Sequence, residues 1–489
     1  MSARSTLLRR TRVSAVIAFR LGLALTWLAG APGSPAFAAP RVITLSPPAV
    51  ASCAEEFETV ANTLTPGDTL LLHGGVYSQS CRRLLSGLHG TAAQPITIRA
   101  VDGETPVLAH PETGGTGNYD QNNLEIEDSQ YLIVRGIDFQ GGDEGVVFLG
   151  DLNAHITFEQ NQVHDTGSAA LALNRGDTLG FVIRGNDIYR AGQATAYEPS
   201  GEGLYVGCNN AACVARGHVI DGNHIHDLRA TSGGGNDGIE IKVGSGDNRI
   251  TNNVIHDTIT GTRYPCIFVY GGGPGPNVVA GNVLWHCGQA IQVAADADIY
   301  NNLILDSDEG IYARTHAQVP QVRNVRIFNN TLYGHSNDCL NIRWAAATGT
   351  LWLANNALYC DGGLAVDADS LGSAVVVANA VSGSLSGVSL DGVRFVNGGT
   401  AVAAFVAPAS RNLWPQPGSA LLGGAVAAYA PSIDFNGSSR WAPIDIGAYD
   451  ANGLAANPGW VVAAGFKQLL SPGFPPGLND RIWLTHLGR

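Results

Sequence analysis

Charged residues and methionine are both scarce in this chain of 489 residues. Charged side chains make up 14% of it and methionine occurs once, whereas glycine reaches 62 residues and Asn, Val and Ile are common. β-Branched residues favour strands, and Gly and Asn favour tight turns. This composition argues against a mainly helical protein. We therefore predict many short strands joined by tight turns.

An excess of positive charge is also missing, since the formal net charge is −13. Nucleic-acid binding depends on the neutralisation of phosphates by Lys and Arg, so we expect no nucleic-acid partner. A local basic strip can still attract an anionic sugar when the global charge is negative. The global charge therefore does not exclude an acidic polysaccharide.

Long apolar runs are missing beyond the N-terminus, so we expect no transmembrane segment. The exception is the largely apolar stretch of residues 13–29, which follows several arginines and precedes the small-residue motif AFA at residues 36–38. That order of charge, apolar core and cleavage site is typical of an export signal. We predict a signal peptide over residues 1–38 and a mature chain that is secreted, periplasmic or on the cell surface. The sequence leaves the export route open.

Cysteine spacing of the zinc-binding type is absent, which argues against a metal–thiolate site. All eight cysteines lie beyond the predicted signal, and an even number in an exported protein favours disulfides. Two pairs are each separated by 21 residues and occupy similar places in their repeats. We predict four disulfides: Cys266 with Cys287, Cys339 with Cys360, Cys208 with Cys213, and Cys53 with Cys81.

A repeat begins near residue 130, in which a polar pair is followed by alternating apolar residues. Its units are 20 to 37 residues long, which is enough for three short strands and three turns. One unit cannot bury its apolar face alone, but stacked coils can. The leucine consensus of leucine-rich repeats is missing, and a propeller needs longer antiparallel repeats, so we predict an all-β fold, a right-handed parallel β-helix. The second member of the polar pair is Asn161, Asn186, Asn223, Asn253, Asn282, Asn302, Asn330 and Asn356.

These Asn positions predict structure more than chemistry. Asn suits the left-handed turn conformation and buried amides need partners, so we expect a ladder of amides hydrogen-bonded between coils. His164, His226 and His256 lie just after this ladder, and each precedes an Asp. We interpret them as stacked turn residues rather than as catalytic dyads.

The two ends of the chain differ from its middle. Residues 53–60 predict a short helix that caps the first coil, and the repeat weakens beyond Tyr359. We predict a capped β-helix over residues 39–450 and a C-terminal tail or cap over residues 451–489. We expect the chain to be a monomer.

Residues 233–257 carry the most unusual set of charges. The segment GIEIKV at residues 238–243 places its Ile and Val residues on one face and Glu240 and Lys242 on the other. Strict alternation of this kind is typical of a half-buried strand. We therefore expect the charged pair to face solvent.

Alignment of the corresponding strand in each unit gives three outward columns that contain carboxylates, aromatic rings and cations. The first column contains Glu144, Ala169, Glu202, Asp237, Pro265, Gln289, Glu309 and Asp338. The second contains Val147, Ala172, Tyr205, Glu240, Phe268, Gln292, Tyr312 and Asn341. The third contains Leu149, Asn174, Gly207, Lys242, Tyr270, Ala294, Arg314 and Arg343.

These columns predict an elongated binding strip. Coils stack about 4.8 Å apart, so Lys242 and Arg314, which are three coils apart, should be separated by roughly 14 Å, the length of a few sugar units. Aromatic side chains beside the cations offer flat platforms for sugar rings. We therefore predict an acidic polysaccharide as the ligand; the alternative is an ordinary solvated face with salt bridges between coils. The predicted substrate-binding residues are Tyr205, Phe268, Tyr312 and Arg343.

The block DGIEIK at residues 237–242, followed by Ser245 and by two Asn at 252–253, resembles the catalytic coil of parallel β-helix polysaccharide lyases of the alginate lyase and chondroitinase B type. In that family, acidic residues a few positions before a Lys bind Ca²⁺ and the Lys is the base. The resemblance implies that Lys242 is the base. It implies that the metal ligands are Asp237, Glu240 and Glu202.

The chain departs from that family pattern in two ways. Two extra residues separate the Lys from the Asn pair, and residues 269–272 read VYGG where the family has an Arg-His-Gly segment. Because that Arg is missing, we assign the general-acid role to Tyr270 or Arg314.

The implied reaction is β-elimination, which removes the weakly acidic C5 proton of a uronate. The substrate carboxylate must be neutralised as charge develops, and Ca²⁺ on clustered carboxylates does this. The base must also be unprotonated, which neighbouring carboxylates oppose and a bound cation favours. The lyase hypothesis therefore requires the metal.

Two other classes of function stay open. A glycoside hydrolase needs a carboxylate pair about 5–10 Å apart. The segments NDG at 236–238 and NDC at 337–339 faintly resemble polygalacturonase motifs, but they lie four coils apart and the Arg-Ile-Lys of that family is missing. The Asp-Pro-His-Asp signature of alginate epimerases is missing too. The last class is a non-catalytic protein whose strip holds a glycan.

Overall fold

The computed structural model describes residues 39–49, 56–111, 121–194, 200–229, 235–258, 264–451, 460 and 464–465. The predicted signal peptide, Cys53 and most of the predicted tail lie outside these residues. Within the described part of the chain, no helix combines the length and the apolar character that a membrane crossing requires.

Thirteen described strands form sheet A, and each is parallel to its neighbours. Their buried residues alternate with partly exposed ones, as in Thr69–Leu72, where Leu70 and Leu72 are buried. This pattern places one apolar face inside the coils. The strands of sheet A are Val42–Leu45, Thr69–Leu72, Ile96–Ala100, Leu132–Arg135, Thr157–Glu159, Val182–Arg184, Val219–Asp221, Arg249–Thr251, Asn277–Ala280, Ala295–Tyr300, Arg323–Phe328, Trp352–Ala354 and Val375–Val377.

Sheets B and C are also parallel and are joined by two long strands, Ala357–Ser370 and Asn379–Ser386, which pass from one sheet to the other. Sheet B contains Leu84–Ser86, Leu124–Glu127, Val146–Ala154, Leu171–Leu179, Leu204–Val206, Ile239–Ile241, Pro265–Val269, Gln289–Val293, Glu309–Ala313 and Asp338–Arg343. Sheet C contains Gly75–Ser78, Pro106–His110, Asp138–Gly141, Gln162–His164, Asp187–Tyr189, His224–His226, Val254–His256, Val283–Trp285, Leu303–Leu305, Thr331–Tyr333 and Phe395–Asn397. A short strand, Ala215–Arg216, pairs with the end of Leu171–Leu179.

Each complete coil runs from sheet A to sheet C to sheet B, so the chain is the predicted right-handed parallel β-helix. Its interior is one continuous cluster of Ile, Val, Leu and Phe side chains. At the turn from sheet A to sheet C, the predicted Asn ladder is present. In one rung, the side-chain oxygen of Asn253 accepts from the backbone and side-chain amides of Asn223 (both 3.0 Å). The ladder satisfies buried polar groups that would otherwise cost free energy.

The ladder reaches further than the sequence pattern indicated. Asn379 accepts hydrogen bonds from Asn356, and parallel strands continue to Phe395–Asn397 although the repeat weakens beyond Tyr359. The following segment contains a one-turn helix, Ala401–Ala404, and an antiparallel pair, Phe405–Ala407 with Asn412–Pro415. Apolar residues of the 401–451 segment pack on the outer face of sheet C.

The N-terminal side and the disulfides agree with expectation where they are described. A helix, Glu56–Ala61, overlaps the predicted capping helix and buries Phe57. The predicted bonds Cys208–Cys213, Cys266–Cys287 and Cys339–Cys360 are all present. Cys81 is disulfide-bonded, and its predicted partner, Cys53, lies outside the described residues.

Candidate functional site

The register of sheet B confirms the alignment of the second column, whereas in the third column Leu149 is opposite Arg175, not Asn174, because the register shifts by one residue there. Tyr205 is opposite Glu240, which is opposite Phe268 on the next coil. The same column continues through Gln292, Tyr312 and Asn341. The third column lies beside it, so Lys242 and Arg314 are three coils apart, as predicted.

Three carboxylates, those of Glu202, Asp237 and Glu240, are brought together at the outer face of sheet B. Glu202 and Asp237 hold equivalent places on adjacent coils, because the amide of Gly203 donates to the carbonyl of Asp237 (3.0 Å). Glu240 follows Asp237 by three residues on the same coil. All three are buried, with exposed fractions of 2%, 4% and 4%.

Glycine allows these two coils to stack closely. A Cβ at Gly203 would lie 2.6 Å from the carbonyl oxygen of Gly238, and a Cβ at Gly238 would lie 2.5 Å from that of Cys266. Gly235 similarly leaves room for the Glu202 side chain, since a Cβ there would lie 2.3 Å from Oε1. The absence of side chains at these glycines therefore allows the carboxylates of Glu202 and Asp237 to lie on closely stacked adjacent coils.

Burial and mutual repulsion govern the charge of this cluster. Burial, followed by the charge of Glu240, raises the pKa of Glu202 to about 7. The same two causes raise the pKa of Asp237 well above its ordinary value, and burial raises the pKa of Glu240. Among the described residues, Oε2 of Glu202 and Oδ1 of Asp237 have no hydrogen-bond partner. The cluster thus presents buried oxygens whose negative charge is not fully compensated.

Lys242 is the cation of this cluster. Its Nζ donates to Oε1 of Glu240 at 2.5 Å and lies 4.6 Å and 5.0 Å from the ring centroids of Tyr205 and Tyr270. These contacts hold the ammonium by one charge-assisted hydrogen bond and two cation–π interactions. The structure therefore unites Lys242 with its predicted neighbours.

The expectation that Glu240 and Lys242 face solvent is wrong. They lie on the outer face of the coil, yet they are only 4% and 6% exposed. Val243 does not join the interior either, because it packs outside with Phe268 and Tyr270. Other parts of the chain cover this face, which strand alternation does not reveal.

Two loops on either side of Lys242 account for this cover. Residues 208–213 follow the strand that carries Tyr205, and residues 315–319 follow the strand that carries Tyr312. Gln318 joins them, since its Oε1 accepts from the backbone amide of Asn210 (2.7 Å) and its Nε2 donates to Asn209 (3.2 Å). The loops therefore bridge the intervening coils, which include the coil of Lys242.

His316, in the second loop, is a site residue that the repeat alignment did not identify. Its ring makes edge contacts with Tyr270 (4.6 Å) and Phe268 (5.7 Å). Burial, together with the charges of Arg314 and Lys242, lowers the pKa of His316. Its position just beyond Arg314 was the available signal, but loops have no place in a column alignment.

The two candidate acids differ in their surroundings. The hydroxyl of Tyr270 is hydrogen-bonded to Glu240, and burial raises the pKa of Tyr270, so it keeps its proton. Arg314 instead turns to Tyr312, with Nη1 3.2 Å from the hydroxyl and the guanidinium 4.6 Å from the ring centroid. The structure thus places Tyr270, rather than Arg314, against the carboxylate cluster.

Beyond Arg314 the strip opens into a cavity of about 520 Å³ that includes Tyr312, Asn341 and Arg343 in its lining. Arg343 is half-buried and paired with Asp367. The predicted substrate-binding residues therefore fall into two groups. Tyr205 and Phe268 lie beside the covered cluster, and Tyr312 and Arg343 line the open end.

The carboxylate cluster fits a hard divalent cation. Calcium prefers oxygen ligands, and carboxylates are its usual protein donors. Glu202, Asp237 and Glu240 supply such oxygens, two of which lack hydrogen-bond partners among the described residues. A cation would also offset the repulsion that raises their pKa values.

Comparisons with known proteins agree with the fold. A family model described as "Periplasmic copper-binding protein (NosD)" matches residues 215–394, less than half of the chain. The pectate lyase PEL9 of Emericella nidulans is 27% identical over 124 residues, which are 23% of this chain and 30% of that protein. The chain thus spans less than a third of this curated relative.

Solved structures of polysaccharide lyases resemble the chain over much of its length. Pectate lyase Pel9A is 13% identical, covers 85% of this chain and 97% of its own, and gives a TM-score of 0.50. The alginate lyase from Paenibacillus sp. is 20% identical, covers 68% of this chain and 97% of its own, and gives a TM-score of 0.44. The chain is a parallel β-helix protein that is similar in fold to polysaccharide lyases.

Proposed function

We propose that this chain is an exported lyase that cleaves a uronate-containing polysaccharide by β-elimination. The observation that carries the proposal is the cluster of three buried carboxylates beside Lys242, on the outer face of a β-helix. The partial relationship to a pectate lyase supports a polysaccharide as the substrate. The N-terminal sequence and the periplasmic description of the matching family model support export.

In the proposed reaction, Lys242 in its neutral form takes the C5 proton of the uronate. The electron pair of the broken C–H bond forms the C4=C5 double bond, and the bond from C4 to the glycosidic oxygen breaks with its electron pair on that oxygen. Tyr270, whose raised pKa keeps it protonated, donates a proton to the leaving oxygen. The products are an unsaturated uronate end and a free hydroxyl group.

Calcium is the proposed cofactor, with Glu202, Asp237 and Glu240 as its ligands. When bound, it would neutralise the substrate carboxylate as negative charge develops. The three ligands come from two adjacent coils, so the stacking of these coils determines their spacing. Lys242 and Tyr270 both contact Glu240, so this residue also positions the proposed base and acid.

Substrate units beyond the reacting sugar would occupy the open end of the strip. Tyr312 offers a ring face there and Arg343 offers a guanidinium. A polysaccharide that reaches from this cavity towards Lys242 would follow the columns of sheet B. An acidic chain matches the cations of the third column.

Absorbance near 235 nm with a panel of uronate polymers tests the proposal. We expect unsaturated ends to appear with at least one polymer and to disappear in excess EDTA. Elimination that persists undiminished in EDTA would remove calcium from the mechanism. Reducing ends that appear without the 235 nm signal would favour hydrolysis and contradict the proposal.

A non-catalytic glycan-binding protein is the second candidate, because one specific observation favours it. Lys242 is buried against the faces of two tyrosine rings, whereas Tyr312 and Arg343 line an open cavity. Such a protein would bind an acidic polysaccharide at the open end and leave it intact. Calorimetry that shows polysaccharide binding, together with an assay that yields neither unsaturated ends nor reducing ends, would favour this function.

A further inference from the structure

A second cluster of polar side chains lies on sheet C, on a different face from the carboxylate cluster. His224 and His226 occupy one strand, and His256 occupies the adjacent strand, where it is the register partner of His226. Their side chains are 13%, 17% and 12% exposed. Nitrogen atoms of the three rings lie within 4.8 Å of one another.

The geometry of two of these rings is unusual. Nε2 of His224 lies 2.9 Å from Nε2 of His256. The other nitrogen of each ring faces a carboxylate, with Nδ1 of His224 2.9 Å from Asp187 and Nδ1 of His256 2.6 Å from Asp257. A neutral imidazole has one N–H, and a carboxylate can only accept it. With a neutral imidazole on each side, the two Nε2 lone pairs would face each other across this gap, and either a shared proton or a metal ion offsets their repulsion.

The separation of these nitrogens suits a transition metal. Metal–imidazole bonds are about 2.0–2.1 Å long, so two donors 2.9 Å apart would subtend roughly 90° at the ion. Imidazole nitrogen suits copper, nickel and zinc, whereas calcium and magnesium prefer oxygen. The hydrogen bonds from Nδ1 to Asp187 and Asp257 are those that typically orient a metal-binding histidine.

His226 and Asp187 complete the donor set. The ring of His226 stacks on that of His224 with centroids 4.0 Å apart. Nδ1 of His226 lies 2.8 Å from Asp227, and its Nε2 lies 3.2 Å from the same Asp187 oxygen that His224 contacts. Because a carboxylate only accepts, both nitrogens of His226 carry hydrogen here, and a metal ion beside the gap would take the place of the proton between Nε2 of His226 and Asp187.

Aromatic rings border the cluster along the sheet. Trp285 stacks on His256 with centroids 4.1 Å apart, and Tyr189 stacks on His226 with centroids 5.2 Å apart. Beyond Trp285 the outer face of sheet C is apolar and packs against the 401–451 segment. The histidines therefore occupy the last polar coils before this cover, where they keep some exposure to solvent.

We propose that His224, His226 and His256, together with Asp187, bind one divalent late first-row transition-metal ion. This site differs in place and in ligand chemistry from the proposed calcium site on sheet B. It stands whether or not the chain cleaves a polysaccharide.

Metal titration of the full chain, prepared without a histidine tag and stripped with EDTA, tests the site. We expect one equivalent of Cu²⁺, and in a separate titration one equivalent of Zn²⁺, to bind. His224→Gln and His256→Gln should each weaken binding by at least about 100-fold, and Asp257→Asn by about 10 to 100-fold. His164→Gln is the matched control, because His164 is also on sheet C and also faces two carboxylates, Asp138 and Asp165. It should leave the affinity unchanged.

Electron paramagnetic resonance of the Cu²⁺-loaded wild-type chain gives a readout that does not depend on variants. We expect nitrogen hyperfine splitting from at least two imidazoles. The proposal is overturned if neither ion binds stoichiometrically at micromolar concentration, or if the spectrum lacks nitrogen coupling. It is equally overturned if a folded His224→Gln variant keeps the wild-type affinity, since a shared proton would then explain the short contact.

Discussion

The ammonium of Lys242 and the carboxylate of Glu240 form a buried ion pair, with 2.5 Å between Nζ and Oε1. The pair lies on the outer face of the coil rather than in its core, and the rings of Tyr205 and Tyr270 lie beside the ammonium. Two further buried carboxylates, Glu202 and Asp237, lie beside this pair, and burial and repulsion raise their pKa values. This repulsion determines what we expect of the proposed base, of the proposed cation and of the pH dependence of stability.

Two substitutions of Lys242 distinguish its proposed role as a general base from the effect of its positive charge. Arg cannot lose its proton in a protein, so Lys242→Arg keeps a cation beside Glu240 but removes a general base. We expect 235 nm elimination to fall by about 100-fold or more in Lys242→Arg and in Lys242→Gln. Polysaccharide binding should persist in Lys242→Arg.

A matched control for this experiment is Arg326→Gln on sheet A. Arg326 pairs with Asp298 on a different face of the β-helix. The control should keep its activity. Full elimination by folded Lys242→Arg would show that Lys242 is not the base.

The raised pKa of Glu202 predicts a loss of stability at high pH when no cation is present. Its pKa rises from an ordinary 4.5 to about 7 in the folded chain. The folded state therefore holds a proton that the unfolded state releases, and the stability this provides is lost as the pH rises from 4.5 through about 7. In EDTA at pH 8, Glu202→Gln should raise the free energy of unfolding by up to about 3 kcal/mol.

Thermal unfolding at pH 8 and at pH 4.5 measures this difference. At pH 4.5 the variant and the wild type should be nearly equal. Calcium should raise the melting temperature of the wild type at pH 8 more than that of Glu202→Gln, because the variant has lost one charged ligand. A variant that is less stable than the wild type at both pH values would contradict the charge repulsion.

Gly238→Ala tests the close stacking of the coils beside the carboxylates. The added Cβ would lie 2.5 Å from the carbonyl oxygen of Cys266 and 2.6 Å from Cγ2 of Ile255. We expect a loss of about 1–3 kcal/mol in the free energy of unfolding, together with lower activity, because Asp237 and Glu240 flank the shifted backbone. Denaturant unfolding measures the loss.

Gly362→Ala is the matched control for Gly238→Ala. Its added Cβ would meet only the carbonyl oxygen of His335, at 3.6 Å. The change in stability should stay within about 1 kcal/mol. Equal losses in the two variants would show that the clash at Gly238 is not the cause.

The columns of sheet B could be predicted from sequence because two local signals determine the register. Strand alternation decides which residues face outward, and the Asn ladder marks the same turn in successive coils. Lys242 and Arg314 therefore aligned correctly although 72 residues separate them. The same logic placed Tyr205 opposite Glu240.

The cover over the site could not be predicted in this way. Gln318 bonds to Asn209 across 109 residues of sequence, between two loops that lie outside the aligned columns. The proposed metal site was not predicted from the sequence, for a related reason. His226 and His256 were recognised as a stack, but the contact between His224 and His256 depends on the orientation of both rings, which spacing does not determine.

The lowered pKa of His218, which is buried at the turn from sheet B to sheet A, predicts a loss of stability at low pH. It is fully buried, its Nδ1 accepts from the backbone amide of Phe181 (3.0 Å), and its Nε2 lies 2.8 Å from the hydroxyl of Thr178. Burial lowers the pKa of His218 from an ordinary 6.5 to about 3. The folded state therefore resists a proton that the unfolded state binds, and stability falls as the pH drops below 6.5, by up to about 1.4 kcal/mol per pH unit.

His218→Asn should make this pH dependence shallower. The amide fits the position, because Asn248 occupies the next rung and its Oδ1 accepts from the backbone amide of His218 (3.0 Å). We expect the fall in unfolding free energy between pH 6.5 and pH 4.5 to shrink in the variant, as measured by denaturant titration at both pH values. The exposed His89 gives the control, since His89→Asn should leave the slope unchanged. An equal slope in all three proteins would assign the acid sensitivity to other groups, because a buried imidazole that titrates only on unfolding must contribute to it.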